Sequence, residues 1–81
     1  MKQIEFNFLT REDQLENLSQ LGFVIATRMD KRYSYVFYCL DEFFVEVKLE
    51  KDSVKTIQSF AGTQQLSLYS QNAMYQLRHA S

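Results

Sequence analysis

Proline and tryptophan are absent from this 81-residue chain, and glycine occurs only at positions 22 and 62. With so little to build irregular loops, regular elements joined by short turns are expected. The single cysteine, Cys39, excludes an internal disulfide, and the opening residues hold no long apolar segment. Both features point to a reducing, cytoplasmic setting. No apolar run approaches the roughly 18 residues that a membrane span needs. One histidine, His79, and one cysteine in different elements cannot make a zinc site alone, so neither metal nor cofactor is expected. An excess of one charge is lacking too. Nine Lys and Arg stand against ten Asp and Glu, for a net charge of −1. That balance argues against strong charge-driven binding to duplex nucleic acid.

What the chain does have is apolar surface to bury. Hydrophobic residues make up 46% of it, with seven Phe and five Tyr, enough for one small core in a single domain spanning residues 1–81. The organising stretch is Arg32 to Glu50, two alternating runs of β-branched and aromatic residues broken by Asp41-Glu42, which predicts a β-hairpin. Side-chain parity pairs Leu40 with Phe43, Tyr38 with Val45, Val36 with Val47 and Ser34 with Leu49. On the other face it pairs Cys39 with Phe44, Phe37 with Glu46 and Tyr35 with Lys48. A one-residue slip would turn an apolar set to the wrong side, so this parity is well specified. Asp-Glu is a poor sequence for the tight primed turns, which favours a longer loop with the same faces.

Around the hairpin, Ile4, Phe6 and Phe8 alternate with polar residues and predict a strand over 3–9. Thr10 is placed as the N-cap of a helix carrying Leu15, Leu18 and Leu21, with Glu12 and Asp13 in its first turn and Gly22 closing it. Residues 23–29 form the next strand. A turn at Asp30-Lys31 sets Phe23 by Tyr38, Ile25 by Val36, Ala26 by Tyr35 and Arg28 by Tyr33. Residues 54–60 are read as a further strand after a turn at Lys51-Asp52-Ser53. A final helix begins at Gly62-Thr63, with Leu66, Tyr69, Ala73 and Leu77 on one face and Arg78 and His79 at its end. The expected fold is α+β: an antiparallel three- to four-stranded meander flanked by an N-terminal and a C-terminal helix, with an extra N-terminal strand, in the order β-α-β-β-β-β-α.

Such a sheet has two faces. Phe23, Ile25, Val36, Tyr38, Leu40, Phe43, Val45, Val47 and Leu49 are expected to form the core against both helices. Val24, Ala26, Tyr33, Tyr35, Phe37, Cys39 and Phe44 share the second face, with Ile57 as a further candidate. That face is too apolar to stay wet, so either a helix covers it or it binds a partner. Tyr33, Tyr35, Phe37 and Phe44 are the predicted partner interface, in a homodimer or with another small protein. Catalysis is not expected. Cys39 has no histidine or cation near it in sequence, Asp41 and Glu42 diverge at a hairpin tip, and Glu46 is expected to pair with Lys48 or Lys55 at the surface.

One segment carries a resemblance. Lys31-Arg32-Tyr33-Ser34-Tyr35-Val36-Phe37-Tyr38 resembles the octapeptide of the RNA-recognition motif, with Arg32 where that family has glycine and a hairpin where it has a following helix. The resemblance implies that Tyr33 and Tyr35 lie on the open sheet face and stack bases, with Arg28, Lys31 and Arg32 available to phosphates. Single-stranded RNA binding is therefore the alternative function, behind a self-associating interaction module. Residues 38–60 also resemble a pattern in short uncharacterised bacterial proteins, which carries no function with it.

Overall fold

The computed structural model of the chain describes residues 1–69. A short helix α1 (Gln3–Asn7) leads into α2 (Arg11–Leu21). Four strands follow, β1 (Phe23–Met29), β2 (Ser34–Leu40), β3 (Phe43–Glu50) and β4 (Ser53–Phe60), and then a 3₁₀ turn over Gln64–Leu68. The strands form one antiparallel sheet in the order β1-β2-β3-β4. The chain is thus an α+β fold built on a meander.

No strand forms at the N-terminus: the predicted strand over 3–9 is α1. The Lys2 N–H donates to Glu5 Oε1 at 2.7 Å, a capping contact that favours a helical first turn. Phe6 alone of the three alternating apolar residues is buried, packed on Phe43 with ring centroids 5.5 Å apart. Ile4 and Phe8 are exposed. An alternation of apolar residues here serves one anchor rather than a sheet face. Helix α2 starts as predicted, Thr10 Oγ1 accepting from the Asp13 N–H at 3.2 Å. It ends at Gly22 with extended backbone (φ −83°, ψ 155°). Glycine is required there by close approach, because a Cβ would sit 2.8 Å from the Leu18 carbonyl oxygen and 3.2 Å from the Tyr38 ring.

The β2–β3 hairpin has the predicted register at every pair from Ser34↔Leu49 to Leu40↔Phe43. Its loop is the two residues Asp41-Glu42, with Asp41 at φ 54°, tighter than the turn chemistry predicts. The β1–β2 pairing differs from expectation. Asp30 Oδ1 accepts from the N–H groups of Arg32 (3.0 Å) and Tyr33 (2.8 Å), and the Asp30 N–H bonds the Tyr33 carbonyl. That side chain centres the turn on Lys31-Arg32 and moves β1 two residues along β2. Ala26 then faces Phe37, and Arg28 faces Tyr35. A bulge between Val24 and Ala26 reverses the parity of the strand's start. Phe23 and Ile25, expected in the core, are consequently exposed. Strand β4 turns back through Lys51 (φ 50°) and Asp52 (φ 69°), and a second irregularity between Lys48 and Leu49 in the β3–β4 ladder leaves Lys55 unopposed. Ile57 pairs with Val47 on the core face, not the second one.

Two apolar clusters hold the sheet from opposite sides. On one face Phe6 and Leu18 from the helices pack on Leu40, Phe43, Val45 and Val47. On the other, Tyr69 and Leu66 come back over Ala26, Tyr35, Phe37, Phe44 and Phe60. Where the C-terminal helix was predicted to begin, a 3₁₀ turn delivers these two side chains; Ala73, Leu77, Arg78 and His79 lie outside the described residues.

Candidate functional site

The residues predicted to meet a partner or RNA lie on or beside the second sheet face, and the structure divides them. Phe37 is fully enclosed by its own chain, stacked on Phe44 (centroids 5.8 Å, interplanar angle 9°) and packed against Tyr69 (5.4 Å) and Phe60 (6.2 Å). It offers no surface to a partner in this arrangement. Tyr35 is 9% exposed, while Tyr33 and Phe44 are half-buried. Alternation puts Tyr33, just before β2, on the same side as Tyr35 and Phe37, as parity predicts, and Tyr69 covers the Phe37 end of that row.

The polar end of this face is a ladder of cations on tyrosine rings. The Arg28 guanidinium carbon lies 3.6 Å from the Tyr35 ring centroid and 5.3 Å from that of Tyr69. Lys48 Nζ lies 3.9 Å from the Tyr33 centroid and 5.9 Å from that of Tyr35, and the Arg32 guanidinium is 5.3 Å from Tyr33. Cations over ring faces are attracted to the quadrupole of the π-system. The Arg28 Nε is buried without a hydrogen-bond acceptor, so the rings are its main company. Arg32 is held instead by Glu50, Nε to Oε2 at 2.6 Å, and Lys55 reaches the other oxygen of that carboxylate at 3.7 Å. Hydrogen bonding to Arg32 keeps Glu50 below the usual carboxylate range. Asp30 is likewise depressed, chiefly by the N–H groups of Tyr33 and Arg32. Lys31 stands exposed at the turn.

Sequence reasoning missed the centre of the site. Glu46 was expected at the surface with a lysine, yet it is only 8% exposed and accepts the Tyr69 hydroxyl at 2.6 Å. Tyr69 itself is fully buried, and burial first, then this hydrogen bond, pushes its hydroxyl pKa well above the ordinary value. The available signal was an acid isolated in an apolar strand, which in a folded protein must find a donor. Nothing local pointed to Tyr69, 23 residues away. Tyr35 donates to Asp30 Oδ2 at 3.2 Å, so the tyrosine hydroxyls at the two sides of Arg28 end on two different acids.

Chemically, this surface offers aromatic packing and cation–π contact. Cys39 is half-buried, with its Sγ 3.7 Å from the Asp41 carbonyl oxygen. Among the described residues no three His, Cys, Asp or Glu side chains gather to hold a metal ion, and no helix is long and apolar enough to cross a membrane. An open cleft of about 600 Å³ lies between the N-terminus and the β2–β3 turn, lined by Lys2, Gln3, Glu42 and Phe43 and bordered by the Met1 amino group paired with Asp41.

The sheet's edges differ more sharply than its faces. Strand β4 is covered at its start: the Arg11 guanidinium donates to the carbonyls of Val54 (3.1 Å) and Lys55 (3.2 Å), and the ladder is irregular at that point. Strand β1 has β2 as its one ladder partner among the described residues. It also exposes Phe23 (74%), Val24 (56%), Ile25 (45%) and Met29 (73%), next to exposed Leu21 at the end of α2. No family model, curated protein or solved structure matches this chain.

Proposed function

We propose that this chain is a small cytoplasmic protein-interaction module that self-associates, with β1 at the border of the aromatic sheet face as its contact strand. The observation that carries this reading is the contrast between the two edges. Unpaired strand edges are templates for another strand, and proteins that must not associate blunt them. Here the start of β4 is blunted by Arg11, while β1 is left with a row of exposed apolar side chains. The bulge at Ile25 still leaves Ala26–Met29 as a regular ladder segment. A second copy is the natural occupant, because two β1 strands related by a two-fold axis pair antiparallel without any further sequence. Such a two-fold pairing uses the same edge of both copies, so it closes as a dimer instead of growing.

Light scattering across a concentration series tests this. The expected mass at micromolar concentration is twice that of the 9.6 kDa chain. Ile25→Lys should return it to the monomer with its circular dichroism unchanged. A 9.6 kDa species at every concentration would overturn the reading.

Single-stranded RNA binding is the second reading, through Arg28, Lys31, Arg32, Tyr33 and Tyr35. It is favoured by Arg28 and Lys48, whose closest partners are tyrosine rings rather than carboxylates. Against it, the ring faces a base would stack on are already occupied by those cations, and Tyr35 is buried.

A further inference from the structure

A single turn of the chain closes the aromatic face of the sheet, and side chains attach it. Leu66 and Tyr69 pack on the row that includes Phe37, Phe44 and Phe60. The Tyr69 ring lies 5.4 Å from that of Phe37, and its hydroxyl donates to Glu46 at 2.6 Å. The backbone bonds of the turn run inward: the Leu66 N–H donates to the Thr63 carbonyl and the Tyr69 N–H to the Leu66 carbonyl, both at 2.9 Å. Lifting the turn off the sheet breaks neither of them, and it breaks no rung of the strand ladders. The strands beneath keep their own support. Phe37 stays stacked on Phe44 and beside Phe60. The helix-side core of Phe6, Leu18, Leu40, Phe43, Val45 and Val47 takes no residue from the turn. Lifting also wets both partners of the hydrogen bond, so neither Glu46 nor the Tyr69 hydroxyl is left buried and unpaired.

We propose that residues 61–69 form a latch, which opens and closes over the aromatic face as one unit while the sheet stays folded. Tyr69 is the bolt, Glu46 the catch, and Ala61-Gly62-Thr63 the hinge at the end of β4. Segments held by few buried side chains open at a lower free energy than the strands they cover. Gln64 and Leu68 already face water, which leaves Leu66 and Tyr69 as the side chains the latch must withdraw. Shut, the latch encloses Phe37 completely. Open, it bares a row of aromatic rings, with Glu46 opposite Phe37 in the β2–β3 ladder. One face of the sheet thus has two states, a closed one and an apolar contact surface. The latch does not depend on the pairing of copies through β1.

Two measurements on the full-length chain test this. Native-state hydrogen exchange of wild type across low urea concentrations reads the size of each opening. The Leu66 and Tyr69 amides should share one opening, with a urea slope below about half that of the Val45 and Val47 amides in β3. A single slope for all four amides would mean that the turn leaves only when the sheet unfolds, and would overturn the latch. Tyr69→Ala removes the bolt. Its far-UV circular dichroism should match that of wild type, while binding of the apolar dye anilinonaphthalene sulfonate rises several-fold. Loss of the sheet signal, or dye binding no higher than that of wild type, would also overturn it.

Discussion

The Tyr69 hydroxyl and the Glu46 carboxylate meet in the protein interior at 2.6 Å, joining residues 23 positions apart and closing one face of the sheet. A hydrogen bond to a charged acceptor contributes about 1.5–3 kcal/mol, and a buried acceptor left unpaired costs a comparable amount. Tyr69→Phe keeps the ring and removes the donor, so it is expected to lower the unfolding free energy by about 1.5–3 kcal/mol. Urea denaturation followed by fluorescence measures this; a loss below about 0.5 kcal/mol would mean that the bond does not hold the segment down.

The same pair predicts a response to alkali. Tyr69, like buried Tyr35, has its hydroxyl pKa raised first by burial and then by donation to an acid. The unfolded chain releases these protons near pH 10, about the ordinary tyrosine value, while the folded chain retains them. Stability is therefore complete below about pH 10 and falls as pH rises beyond it. Wild type should lose stability between about pH 9 and 11 more steeply than Tyr69→Phe, with urea midpoints as the readout. Equal slopes would remove Tyr69 as a contributor.

The two faces should respond differently to truncation. Val47 is buried between Val36 and Ile57 in the helix-side core, so Val47→Ala is expected to cost about 1–3 kcal/mol through lost burial and a cavity. Tyr33→Ala should cost about 0.5–1 kcal/mol, the worth of an exposed cation–π contact such as that with Lys48. Thermal unfolding of both variants decides it, and equal losses would contradict the packing. Phe37→Glu, which buries a charge at a fully enclosed site, should unfold the chain rather than merely separate two copies.

Arg11→Ala uncovers the start of the second edge. Val54 and Lys55 lose the guanidinium that covers their carbonyls, leaving open edges at both ends of the sheet. Assembly should then pass from a closed dimer to larger species, visible as rising scattered intensity over time. A variant with unchanged mass would show that this cover plays no part in controlling association.

The RNA reading is tested most generously at low ionic strength, where phosphate contacts are strongest. If Tyr33 and Tyr35 stack on bases, mixed-sequence single strands should bind, and Tyr35→Ala should weaken binding by about 1–3 kcal/mol. Affinity would fall as salt rises, through Arg28 and Arg32. Absence of binding at tens of micromolar protein leaves both tyrosines as packing residues.

The sequence alone determined the hairpin between Ser34 and Glu50, because alternation of apolar residues leaves one register that buries a face. It determined α2 as well, through Thr10 and the spacing of its leucines. Tertiary structure decided the rest. Ile4, Phe6 and Phe8 alternate like a strand, but capping at Glu5 and the single anchor Phe6 on Phe43 make them a helix. Asp30 shifted β1 by bonding two N–H groups of its own turn, and the bulge at Ile25 turned Phe23 outward, a balance of local bonds that parity cannot register. Glu46 found Tyr69 rather than a neighbouring lysine. Lys48 took the tyrosine faces and Lys55 took Glu50, leaving the buried acid to be satisfied by a residue that only the folded chain brings near.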